Sequence, residues 1–123
     1  MAPDSSDYSY KRLIAWQKAD ILALEIYKAT RMFPKHELYG ITSQIRRSAL
    51  SVVLNIIEGY ARQNKNEFRQ FLRIAYGSLV ETEYLLYFAK EQTYLTEVEY
   101  VKLEGLKKEC GQVLWKLLKS QNV

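Results

Sequence analysis

The apolar residues of this chain return every three or four positions in four separate runs, the pattern of amphipathic helices and not of strands. In the first run Trp16, Ala19, Ala23, Ile26, Thr30 and Phe33 share one face. The spacing predicts a helix from near Tyr10 until Pro34, which forces Phe33 out of helical geometry. A second helix opens at or just after Gly40, where Thr42 or Ser43 can cap it, and its seam is Ile41, Ile45, Ala49, Val52 and Ile56. Leu50, Val53, Leu54 and Ile57 make its opposite side apolar as well. That is more greasy circumference than an isolated bundle uses, so copies of the molecule are expected to cover one another there.

Asn64 and Glu67 then stand at the spacing of an N-cap and its capping-box partner. The third helix they open carries Phe68, Phe71, Ala75, Ser78, Thr82, Leu85 and Ala89, with Leu72, Leu79 and Leu86 one heptad apart beside them. Ala75, Gly77 and Ser78 are small enough to admit a close neighbour. Thr96 and Glu99 form a second capping box, opening a fourth helix through Leu103, Leu106, Cys110, Val113 and Leu117. Connections this short make consecutive helices antiparallel. The expected fold is all-α: an antiparallel up-down-up-down four-helix bundle over residues 10–120, behind a flexible arm at 1–9.

Composition narrows the function. With 123 residues, 48% of them hydrophobic, the chain can bury one core unaided. No apolar run is long enough to span a bilayer, and the first residues lack the pattern of a secretory signal, so a cytoplasmic protein is expected. His36 and Cys110 are each the sole residue of their kind. Neither a zinc site nor a nucleophile with a histidine base follows from one of each, and no two glycines are close enough for a phosphate loop. No catalytic residue, cofactor or metal is therefore expected. Cys110, on the seam, reads as a buried and inert thiol. Glu58 with Glu81 is the one pair of carboxylates an enzyme could use, and both are more simply ion-pair partners of Arg47.

The charge is +4 overall, and residues 35–65 hold most of it, with Lys35, Arg46, Arg47, Arg62 and Lys65 against Glu37 and Glu58. Such a balance permits a nucleic-acid partner. Along helix two, Gln44, Arg47, Ser51, Asn55, Glu58 and Arg62 follow steps of three and four, a polar line between two apolar sides. One reading makes Arg47, Asn55 and Glu58 a network with Ser78 or Glu81 that sets helix register and a subunit interface. The other makes Arg46, Arg47, Arg62, Lys65, Arg69 and Arg73 a phosphate-contacting surface near the turn between helices two and three. Ten tyrosines invite base stacking. Tyr84, Tyr87 and Phe88, crowded beside Leu85 and Leu86, read instead as an interface.

Three stretches carry a family resemblance: FPKHELYGITSQIRRSA at 33–49, NIIEG at 55–59 with Arg62, and FLRIAYGSLVE at 71–81. Over roughly residues 10 to 118 the chain resembles the four-helix bundle proteins encoded in intervening sequences of bacterial large-subunit rRNA genes, some of which carry a ribosomal-protein name. It is also similar to the accessory protein of diversity-generating retroelements, a basic bundle that associates with a reverse transcriptase. The resemblance implies a left-handed bundle assembled as a homopentameric ring, without known enzymatic activity. The family pattern falls on Gln44, Arg47, Ser51, Asn55, Glu58, Gly59, Arg62, Gly77, Ser78 and Glu81. The chain departs from it where a proline usually follows Ser51, at Ile57 in place of alanine, and at Tyr76 in place of a basic residue. That last change weakens the nucleic-acid case at its position. The expectation is a homo-oligomeric module binding RNA or DNA through Arg46, Arg62, Lys65, Arg69 and Arg73. The alternative is a scaffold or accessory subunit that binds another protein with no direct nucleic-acid role.

Overall fold

Four long helices and no strand make up residues 9–121, the part of the chain described by a computed structural model: α1 (Ile14–Thr30), α2 (Ile41–Arg62), α3 (Lys65–Glu91) and α4 (Glu97–Ser120). Each packs on its chain neighbours, and α1 also packs on α4. Of the expected arm only Ser9 falls within the described residues. Its hydroxyl accepts the Lys11 N–H at 3.1 Å and starts a single 3-10 turn at Tyr10–Arg12. Helix α1 thus begins at Ile14 and not at Tyr10, because Leu13 is extended (φ −72°, ψ 124°) between turn and helix. Gln17 fastens the joint by donating its side-chain amide to the Lys11 carbonyl at 2.9 Å.

Helix α1 stops before Pro34 as its sequence requires. The start of α2 differs from expectation: neither Thr42 nor Ser43 caps it, and the Thr42 hydroxyl is buried without a partner. Glu37 supplies the cap instead. Its carboxylate accepts the Ile41 N–H at 3.4 Å and the Tyr94 hydroxyl at 2.8 Å, so one anion sits at a helix N-terminus and ties the two loops at that end. A Cβ on Gly40 would displace the end of that flexible side chain, so a larger residue there disturbs the cap.

Two residues join α2 to α3. Gln63 adopts the left-handed conformation (φ 53°), and the Asn64 side chain accepts the Glu67 N–H at 3.0 Å. The Thr96–Glu99 capping box at α4 forms in both directions, at 3.1 and 2.8 Å. Between α3 and α4, the Thr93 N–H reaches the Lys90 carbonyl and the Tyr94 N–H reaches the Ala89 carbonyl, each at 2.9 Å. With Thr93 left-handed (φ 61°), this is a Schellman motif carrying threonine where glycine is usual.

The core follows most of the predicted seams of α1, α2 and α3, with Ile26, Ile45, Ile56, Leu72 and Leu86 fully enclosed. Leu22, off the predicted α1 seam, is enclosed as well, and Trp16, Phe68, Phe71 and Ser78 are only half-buried. Helix α4 is rotated slightly from expectation. Leu103, Cys110, Leu114 and Leu118 are buried, while Leu106, Val113 and Leu117 are only half-buried. The second apolar side of α2 divides: Val53 turns inward at 7% exposure, whereas Leu54 keeps 57%. Surface ion pairs, Lys18 with Glu109 at 3.3 Å and a half-buried Glu25 with an exposed Lys102 at 2.7 Å, link α1 to α4 and add little stability.

Candidate nucleic-acid interface

The polar line on α2 splits into an inner and an outer part. On the inner side the Ser51 and Ser78 hydroxyls meet at 2.7 Å, and the Asn55 amide donates to the Ser51 carbonyl and hydroxyl at 2.8 and 3.0 Å. One turn away, the Thr82 hydroxyl lies 2.8 Å from both the Ser48 hydroxyl and the Ser78 carbonyl. These five residues satisfy one another between α2 and α3 and set the register of the two helices. Ser48 and Thr82 were not in the predicted network. Their signal was present, since Ser48 precedes Ser51 by three and Thr82 follows Ser78 by four.

The outer part does not join it. Gln44, Arg47, Glu58 and Glu81 are exposed, and Glu58 pairs with Arg62 at 3.2 Å instead of with Arg47. The expected network therefore keeps Ser51, Asn55 and Ser78 and loses Gln44 and its charged members Arg47, Glu58 and Glu81. An arginine at α2 needs many donors satisfied or open water, and Arg47 takes the water.

The candidate phosphate contacts also separate. Arg46 is committed to the fold: its guanidinium lies 4.6 Å over the Tyr27 ring, with Nε donating to Thr30 Oγ1 at 2.8 Å and Nη2 to the Tyr27 carbonyl at 3.4 Å. A cation on the last carbonyls of α1 is a favourable terminus. Arg62 lies 5.1 Å over the Phe71 ring while paired with Glu58. Lys65, Arg69 and Arg73 stand four residues apart on the first turns of α3, where side chains at that spacing share a face. Lys65 and Arg73 are exposed and make no ion pair among the described residues, and Arg69 is half-buried. Arg47 belongs elsewhere, lining an open groove of about 630 Å³ with Tyr27, Leu38, Tyr39, Leu50 and Leu54.

Among the described residues no group of three or more His, Cys, Asp or Glu is placed to hold a metal, and burial pushes the Cys110 thiol up to about 12, where it is protonated and unreactive at neutral pH.

Fold and site together define a small helical protein with a hydrogen-bonded polar seam and a basic ridge beside it. The family model described as 23S rRNA-intervening sequence protein matches residues 11–116, and the chain belongs to that family. Among solved structures it is similar to a protein of unknown function from the S23 ribosomal protein family of Bacteroides thetaiotaomicron. The two are 25% identical, with a TM-score of 0.78, and the match covers 86% of this chain and 96% of the other. No curated protein matches significantly.

Proposed function

We propose that this protein is a non-enzymatic, cytoplasmic, homo-oligomeric module that binds RNA through the basic ridge of Arg62, Lys65, Arg69 and Arg73. The observation that carries the reading is where the ridge lies. Lys65 is the first residue of α3, at the helix end where the macrodipole repels cations and favours carboxylates. Glu67 is the one acid of that first turn, and Lys65 stands beside it at the very start of the helix. Lys65 and Arg73 are exposed and form no ion pair among the described residues, so an anion from outside can compensate them, and phosphate does so. The family's link to rRNA intervening sequences points to the same class of ligand.

The assembly proposed is a ring of up-down-up-down bundles, in line with the cross-helix pairs Ser51–Ser78 and Lys18–Glu109. The apolar groove at Leu38, Tyr39, Leu50 and Leu54 favours it, because so much exposed hydrophobic surface on adjacent elements marks an interaction site. No helix among the described residues is long and apolar enough to cross a membrane.

The test is RNA binding by anisotropy at two salt concentrations, with light-scattering mass on the same samples. Replacing Lys65 and Arg73 by glutamine is expected to weaken binding and flatten its salt dependence by about 0.7–0.9 for each phosphate no longer neutralised. Absence of binding at low salt overturns the RNA reading, and a stable monomer at micromolar concentration overturns the ring. A partner retained from nuclease-treated lysate, with no RNA binding, favours the scaffold reading instead.

A further inference from the structure

A second surface borders the ridge where α3 meets α4. Between α3 and α4 runs an open groove of about 450 Å³ lined by Tyr76, Val80 and Glu83 from one helix and Lys108, Gln112 and Trp115 from the other. One end of it is aromatic. The Tyr76 and Trp115 rings lie 5.3 Å apart at 52°, and Trp115 keeps 48% of its surface exposed. An indole is among the largest apolar groups a protein has, and half of this one faces water beside a second ring that fixes its orientation.

The charges around these rings are mostly positive. Lys119, one turn beyond Trp115, holds its ammonium 5.6 Å over the indole ring. Lys108 lies two turns before Trp115, and Arg73 lies one turn before Tyr76 on α3. None of these three forms an ion pair among the described residues. The remaining cation of the groove, Lys107, is already neutralised by Glu104 at 2.9 Å and Glu83 at 3.4 Å. A pre-oriented ring pair with unpaired cations at both ends matches single-stranded nucleic acid, whose bases expose a π-face and whose phosphates run alongside. A duplex hides those faces, and an acidic peptide supplies the charge without the ring.

We infer that Trp115, backed by Tyr76, is a stacking platform for an unpaired base, with Lys108, Lys119 and Arg73 holding the flanking phosphates. The inference rests on the nucleic-acid reading above and narrows it to single strands, since Arg73 belongs to both surfaces. It also gives the departure at Tyr76 a use: a ring replaces a cation beside the Trp115 face. Lys119 covers the indole in the free protein and moves to phosphate when a base takes its place.

The experiment uses the full chain carrying Trp16→Phe, so that Trp115 is the only indole. That change is tolerable because the Trp16 ring nitrogen has no partner to lose. Oligouridylate and oligothymidylate of about 12 nucleotides, and a duplex of the same length, are titrated against its fluorescence. Both single strands are expected to quench it, with RNA and DNA compared directly to reveal any role for the 2′-hydroxyl, and the duplex is expected not to. Trp115→Ala should weaken single-strand binding about 10- to 100-fold with an unchanged salt slope, and Trp115→Phe should restore most of it. Lys108→Gln and Lys119→Gln should each lower the slope by about 0.7. Thermal melts of every variant confirm that it folds.

Binding that neither quenches Trp115 nor weakens in Trp115→Ala overturns the platform and leaves the ridge standing. No binding at low salt overturns both. Equal quenching by the duplex overturns the restriction to single strands, and blue-shifted, acrylamide-protected Trp115 emission in the free protein assigns the surface to a protein contact.

Discussion

Ser51 on α2 and Ser78 on α3 share a hydrogen bond of 2.7 Å between their hydroxyls, and Asn55 closes on Ser51 from the next turn. The pair lies where two long helices would otherwise slide past one another on interchangeable apolar seams. Its value is in the match of partners. Removing Ser51 leaves the Ser78 hydroxyl half-buried and unsatisfied, and removing Ser78 leaves Ser51 only the Asn55 amide, whereas removing both leaves no orphan hydroxyl.

Ser51→Ala and Ser78→Ala are each expected to cost about 1 kcal/mol, and the double variant less than their sum by about 0.5–1 kcal/mol. Urea denaturation of the four proteins measures the coupling. Strict additivity would mean that the hydroxyls are satisfied by water and do not hold the register.

Much of this fold was legible in periodicity, and the reasons for the rest are specific. The seams of α1, α2 and α3, the Asn64 cap and the Thr96–Glu99 box depend on residues close in sequence, so spacing reveals them. The Glu37 cap of α2 was not legible, because Tyr94, which orients that carboxylate, is distant in sequence. Arg46 looked like any other surface arginine until α1 brought Tyr27 and Thr30 against it. Spacing placed Gln44, Arg47, Ser51, Asn55, Glu58 and Arg62 on one face, and it was silent on which of them turn toward α3 and which toward water. Trp115 escaped notice for a similar reason. Its neighbour Leu114 is the buried residue, and the step between them separates core from groove.

Gly59 and Gly77 make a contrast that backbone geometry alone predicts. A Cβ at Gly59 would lie 2.7 Å from Phe71 Cβ and 3.0 Å from Phe68 Cδ1, so Gly59→Ala must push α2 and α3 apart at their tightest end. A Cβ at Gly77 meets nothing within 4 Å. The expected effects are a cost of about 1–3 kcal/mol for Gly59→Ala and a gain of about 0.5–1 kcal/mol for Gly77→Ala, from helix propensity. Thermal melts decide it. A destabilising Gly77→Ala would mean that another molecule packs on that glycine.

Thr93 sits in the left-handed conformation at φ 61°, which a β-branched side chain resists. The Schellman bonds from Thr93 to Lys90 and from Tyr94 to Ala89 hold it there. Thr93→Gly should keep both bonds, remove the strain and stabilise the protein by about 1 kcal/mol, raising the melting temperature by a few degrees. Thr93→Val, which keeps the branch, should give no such gain, and an equal gain from both would remove backbone strain as the cause.

Cys110 ties stability to pH in the alkaline range. Burial pushes its thiol from the ordinary 9.0 up to about 12. The unfolded chain then loses its thiol proton near 9 while the native chain holds it to about 12, so the unfolded state binds fewer protons throughout that window. By linkage, the contribution is constant below pH 9 and falls as pH rises through the window, with a slope of at most ~1.4 kcal/mol per pH unit. Tyrosines and lysines titrate there too, so the informative quantity is the difference from Cys110→Ala. That variant leaves a cavity whose cost does not depend on pH. The stability gap between wild type and variant is expected to be flat from pH 7 to about 9 and to shrink above it. Denaturant melts at several pH values measure it. A gap that stays constant above pH 9 would mean that water reaches the thiol in the native protein and that the α4 seam is looser than its burial implies.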